Sequence, residues 1–149
     1  MRVALCSDEP YAVHDTLRAE LLARGHEVVP FGACRSGREE PWAEVAGEAA
    51  EAVARGDCEE GVFLCWTGTG ISIAANKVPG VRAALCGDPG TAAGARVWNH
   101  ANVLCLSNRT LSPDMAKEIL AAWLDTPPGE RGADGVARLD ALDRRHRRA

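Results

Sequence analysis

Residues 62–88, VFLCWTGTGISIAANKVPGVRAALCGD, decide the fold. Positions 62–65 are a continuous apolar run of strand length, and 66–70 form a Gly/Thr-rich loop. Helical spacing follows over 71–77, and 81–86 reads as a further strand, apolar but for Arg82. A strand, a helix and a second strand in so short a span predict a parallel crossover, which is right-handed almost without exception. The strand runs lack polar alternation. That is the mark of strands covered on both faces, as in parallel sheets flanked by helices.

The same alternation extends outward in both directions. Upstream, 2–6 is a short apolar strand, and 11–24 carries Val13, Leu17, Leu21 and Leu22 at helical intervals, with Gly25 suited to end that helix. A second strand is expected at 26–31, then a helix from Pro41 to about Arg55. Downstream come a helix over 89–97, a strand at 103–106, and a helix over 114–124 announced by Ser112 as cap and Pro113 in the first turn. Residues 125–135 are rich in Pro and Gly and read as an extended connection, followed by a last short helix. The prediction is one α/β domain over 1–149, a Rossmann-like three-layer sandwich with a five-stranded parallel sheet. Ligands of such sheets bind at the carboxyl ends of the strands.

A chain of 149 residues is of single-domain size. Its net charge of −4 gives no reason to expect nucleic acid, which favours strongly basic faces. The six cysteines include no CxxC pair, so no zinc or dithiol motif is expected, and Cys6, Cys65, Cys86 and Cys105 sit in strand runs where a thiol packs as a small hydrophobe. No apolar run approaches the roughly 20 residues of a membrane helix. A cytoplasmic protein without metal, cofactor or membrane partner is expected. The basic end, residues 144–149, reads as a solvated helix terminus.

Three loops are expected on one rim: Ser7-Asp8-Glu9, the loop from Cys65 to Gly70, and Ser107-Asn108-Arg109. Gly68 and Gly70 free backbone amides beside a helix start, where an anion or a developing oxyanion is stabilised. Cys65 ends its strand just before those amides, a setting that favours a thiolate able to act as base or nucleophile. On this ground alone structural and functional roles for Cys65 stand level. Its strand-end position predicts partial accessibility and faster alkylation than at Cys6, Cys86 or Cys105.

The run from Cys65 to Asp88 resembles the signature of the type B ribose-5-phosphate and galactose-6-phosphate isomerases. Ser7-Asp8, GHEVVPFG at 25–32 and NHANVLCLSNR at 99–109 support the resemblance. It implies a cofactor-independent aldose–ketose isomerase working through an enediolate on a small sugar or sugar phosphate, as a homodimer or dimer of dimers with sites completed by both subunits. By position, the resemblance makes Cys65 the general base. Thr67 and the amides of Gly68 to Gly70 become the enediolate clamp, Asp8 and Asn99 substrate contacts, and Arg109 and Arg138 phosphate ligands.

Several positions depart from that pattern. Glu9 stands where a His follows the Asp, Trp98 where the ring-opening His precedes the Asn, Asp134 where an Arg lies four residues before Arg138, Trp66 where a Gly follows the Cys, and Glu40 where a Tyr precedes Pro41. Anions replacing cations and an indole replacing an imidazole predict poor handling of ribose 5-phosphate. His100 is the nearest replacement acid, set against a plain loop histidine bonded to backbone. The alternatives to a sugar isomerase or epimerase with an altered site are a subunit of a hetero-oligomeric isomerase and a non-catalytic sugar-binding homologue.

Overall fold

The computed structural model describes residues 1–147. The strands are β1 (Arg2–Ser7), β2 (Glu27–Gly32), β3 (Glu60–Cys65), β4 (Ala83–Leu85) and β5 (Val103–Ser107). They form one all-parallel sheet in the order β2-β1-β3-β5-β4. The helices are α1 (Ala12–Ala23), α2 (Ala33–Ser36), α3 (Trp42–Ala54), α4 (Thr69–Ala75), α5 (Pro89–Asn99), α6 (Pro113–Asp125) and α7 (Ala133–His146). Period-two alternation divides the core. Val3, Leu5, Val62, Leu64, Leu104 and Leu106 face α1, α5 and α6, while Ala4, Cys6, Phe63, Cys65, Val103 and Cys105 face α3 and α4. The three-layer sandwich expected from the sequence is therefore present. No helix among the described residues is long and apolar enough to cross a membrane.

Local chemistry fixes the element ends. Asp88 accepts from the Thr91 amide at 2.8 Å and Ser112 from the Met115 amide at 3.1 Å, each ahead of a first-turn proline. The edge strand β4 is clamped by side-chain amides. Asn76 Nδ2 donates to the Ala83 carbonyl at 3.0 Å, and Asn76 Oδ1 accepts from its amide at 2.8 Å. Asn102 does the same for the Gly80 carbonyl and the Arg82 amide, at 3.0 and 2.8 Å. The C-terminal segment departs from expectation. The extended connection ends at a 3-10 turn, Glu130–Gly132, and the final helix is not short but fourteen residues long. It has no buried residue, although Val136, Leu139 and Leu142 recur along it at helical spacing. Its basic end is helical through His146, with Arg148 and Ala149 outside the described residues.

At the amino end of the sheet a buried ion pair joins three elements. Arg96 of α5 meets Glu60 at the start of β3 at 2.6 Å, and the residues are 9% and 8% exposed. Trp123 of α6 donates its indole N–H to the same carboxylate at 3.1 Å, and the guanidinium lies 4.9 Å from the Trp123 ring centroid. Arg96 also donates to the carbonyls of Thr126 and Ala101. Breaking such a pair strands a buried charge, at a cost of about 3–5 kcal/mol. Glu60→Ala should lose stability of about that size in urea denaturation, while Glu59→Ala on the exposed neighbour should change it by no more than about 0.5 kcal/mol.

Candidate active site

The chain moves outward in opposite directions from β1 and β3, so the carboxyl ends of those two strands mark the switch point of the sheet. Ser7 is in register with Leu64, which makes Asp8 and Cys65 the next residues on neighbouring strands, in a sheet whose strands lie about 4.8 Å apart. The loops after β1 and β3 thus meet where the topology places a ligand.

The Cys65 loop is built around the thiol. Gly68 donates its amide to Cys65 Sγ at 3.1 Å. It does so from a left-handed conformation, φ 77°, and a Cβ there would stand 2.5 Å from Leu85 Cδ1 and 3.0 Å from the Leu106 carbonyl. Only glycine turns the loop this way. Gly70, next along, packs under the Trp42 ring, which a Cβ would approach to 3.1 Å. Thr67 and Thr69 share a hydroxyl hydrogen bond of 2.7 Å. The β5 loop is tied to the same turn: Asn108 donates its amide to the Cys65 carbonyl, and the Arg109 amide and the Ser107 hydroxyl donate to that of Trp66. Arg109, Ser107, Thr67, Leu85 and Cys86 line a cavity of about 250 Å³ beside the loop.

On the β1 side the Tyr11 hydroxyl lies 2.7 Å from Glu9 Oε2 and 3.1 Å from Asp8 Oδ1. Tyr11 sits before α1 in extended backbone, and its ring centroid is 6.3 Å from that of Trp66. The Glu40 amide donates to the Asp8 carbonyl at 2.8 Å, and its carboxylate is occupied by Ser36. Burial holds the Asp8 carboxyl above the usual aspartate value. The Tyr11 hydrogen bond opposes that rise, and the Glu9 charge adds to it.

The structure separates what the sequence grouped together. The helix α5 starts at the carboxyl end of β4 and returns to the amino end of β5, a distance of roughly 16 Å for its 11 residues. Trp98, Asn99 and His100 therefore lie at the opposite end of the sheet from Cys65. The His100 carbonyl accepts from Arg82 at 2.9 Å there, and Asn99 lines a cavity of about 410 Å³ with Arg82, Leu139, Asp140 and Asp143. Trp66 and Trp98, both about half exposed, do not wall one pocket within a chain. The His100 ring bonds the Gly129 carbonyl at 2.6 Å from a left-handed backbone, the plain loop role. Arg138 is held in an exposed ion pair with Asp134 at 2.9 Å. Arg131, which sequence reasoning passed over, lies 4.6 Å from the Trp98 ring centroid instead. Tyr11 and Trp42 were also missed. A tyrosine three residues beyond the first strand's aspartate was signal enough for Tyr11, while nothing in the sequence placed Trp42 over Gly70.

A family model described as Ribose/Galactose Isomerase matches residues 3–142. Ribose-5-phosphate isomerase B of Escherichia coli is 36% identical over 141 residues, 94% of each chain. A D-erythrulose-4-phosphate isomerase of Pectobacterium atrosepticum is 40% identical over 111 residues, 74% of this chain and 73% of the relative. The solved ribose-5-phosphate isomerase B of Clostridium thermocellum superposes with a TM-score of 0.92 at 36% identity, over 99% of this chain and 100% of that one. Fold and relatives together define the class of sugar-phosphate isomerases. The chain belongs to the ribose/galactose isomerase family.

Cys65 is buried, 5% exposed, against the expectation of partial accessibility, because the Gly68 turn and α4 close over it. Cys6 and Cys105 are wholly buried and Cys86 nearly so; burial pushes all three thiols up, that of Cys86 to about 11. Cys34 is 7% exposed, but burial pushes its thiol to about 12. Limiting iodoacetamide followed by peptide mapping should label Cys65 ahead of Cys6, Cys34, Cys86 and Cys105. Earlier labelling of any of those four would remove the case for a reactive thiol at the switch point.

Proposed function

We propose that this protein is a cofactor-independent aldose–ketose isomerase that works through an enediolate on a small sugar or sugar phosphate other than ribose 5-phosphate. The observation that carries the reading is the Cys65 thiol, held by the Gly68 amide at 3.1 Å at the switch point and flanked by the Thr67–Thr69 hydroxyl pair. Cys65 takes a proton from one carbon of the substrate and returns it to the next, while Thr67 and the loop amides hold the enediolate oxygen. Arg109, beside Thr67 in the 250 Å³ cavity, is the cation placed to meet an anionic end of the substrate.

Trp98 supports a substrate that needs no ring opening, because an indole only donates and never exchanges protons. A four-carbon sugar esterified on O4 has no hydroxyl left to close a five-membered ring, so it reaches the base as an open chain. The Pectobacterium relative, named for erythrulose 4-phosphate, supports the same size class. With D-erythrose 4-phosphate as probe, kcat/KM should exceed that for ribose 5-phosphate by about 10²-fold, the lower end of what a general acid contributes. Glu9→His and Trp98→His together should raise ribose 5-phosphate turnover. Wild-type ribose 5-phosphate turnover near about 10² per second would overturn the specificity claim.

The separation of Trp98 and Asn99 from Cys65 supports a shared site. In a homodimer, or a dimer of dimers, the Trp98–Asn99–Arg131 end of one subunit meets the Cys65 rim of the other. Exposed Trp42, Trp66, Ile73, Leu85 and Trp98 give such an interface apolar area. A stable dimer needs about 1,200–2,000 Å². Sedimentation at micromolar concentration should show no free monomer, and a purely monomeric profile would remove the shared site.

A further inference from the structure

Isomerisation through an enediolate moves two protons. One passes between carbons, and one must leave the O2 hydroxyl and arrive at O1. The Cys65 thiol accounts for the first. We propose that Asp8 carries the second, and that Tyr11 and Glu9 are the positioning residues that aim its carboxylate and set its basicity. This inference rests on the isomerase reading and deepens it.

The geometry is a phenol hydroxyl between two carboxylates, 2.7 Å from Glu9 and 3.1 Å from Asp8, on the loop beside the Cys65 turn. A phenol has one hydrogen and satisfies one carboxylate at a time. Burial and the two carboxylates push the Tyr11 phenol up, so it stays a neutral donor across the working range. Tyr11 reaches Asp8 through Oδ1 alone, at the longer of the two distances, so the shared hydrogen bond restrains Asp8 and still leaves it lone pairs for the substrate. Two hydrogen bonds tie the loop down: Ser7 Oγ donates to the Glu9 carbonyl and the Glu40 amide to that of Asp8. The groups that face Asp8 are Tyr11 and Glu9 on its own loop, Cys6 beneath it on β1, and the Glu40 amide before α3; the charge that acts on it is that of Glu9. A carboxylate crowded by another anion and partly withdrawn from water holds a proton more strongly than a free one, as a carrier must.

The step balances without any co-reactant. Cys65 thiolate removes the C2 proton as the C1 carbonyl oxygen takes up the electron pair, giving the enediolate. Asp8 carboxylate takes the O2 hydroxyl proton and delivers that same proton to O1. Cys65 returns its proton to C1 as the O2 carbonyl forms. Both groups end as they began.

Two measurements test this. Carboxyl ¹³C titration of Asp8 reads the cluster without substrate. Glu9→Gln removes the charge that raises its midpoint and should lower it. Tyr11→Phe removes the hydrogen bond that lowers it and should raise it, with the acid limb of kcat/KM moving the same way in each. Identical midpoints in all three proteins would overturn the cluster. In D₂O with D-erythrose 4-phosphate, Asp8→Asn should slow isomerisation by about 10²-fold, while exchange of the C2 hydrogen, the Cys65 step, falls much less. Cys65→Ser should lose both. If Asp8→Asn loses exchange and isomerisation equally, Asp8 only binds substrate and the shuttle is wrong. A wild type that neither isomerises nor exchanges this sugar or ribose 5-phosphate removes the isomerase reading and the shuttle with it. An active wild type with coupled losses removes the shuttle alone.

Discussion

The buried Arg96–Glu60 pair is the constraint on which the arrangement turns. Each charge would be costly on its own at the amino end of a sheet, and each is tolerable because the guanidinium has several acceptors and the carboxylate several donors. Arg96 sits two residues before Trp98, so the pair that locks α5 against β3 and α6 also fixes where the Trp98–Asn99–His100 segment emerges. Packing of Arg96 on the Trp123 ring adds an apolar contact to the electrostatic one. The stability of the sandwich and the delivery of one half of the proposed site are thus one event.

The other half is organised by sterics more than by charge. Gly68 is where the loop must turn left-handed beneath Leu85 and Leu106, and that turn is what brings an amide to the Cys65 sulfur. The Tyr11–Trp66 contact and the Glu40 amide close the β1 loop down on it. Rigid elements, not flexible side chains, therefore set the distances at the switch point, which is the condition for preorganised stabilisation of a developing charge.

Much of this was legible in the sequence. Apolar runs without alternation gave the strands, and Ser112 with Pro113 marked a helix start on which the structure agrees. Loop chemistry after β3 left structural and functional roles for Cys65 level, and the resemblance of the run from Cys65 to Asp88 to the isomerase signature decided between them. What stayed hidden was of two kinds. Polar helices such as α7, and short ones such as α2, carry no periodic burial and so leave little trace. Relations between residues far apart in the chain were also out of reach. Position in the motif suggested that Trp98 shares a rim with Cys65, yet the direction of α5 puts it at the other end; nor did the sequence place Arg131 over the Trp98 ring, because helix phase is invisible where a 3-10 turn precedes the helix.

The Asn76 clamp has a consequence for the life of the molecule outside its site. β4 is three residues long and lies at the margin of the sheet, where bare amides and carbonyls invite a strand from another chain. Asn76 fills the outward donor and acceptor of Ala83 with its own side chain, as a sixth strand would. At Ala83 the margin is closed to templated strand addition by a single residue. The AAN sequence at 74–76 thereby shields this part of the edge from other chains as much as it shapes the sheet itself.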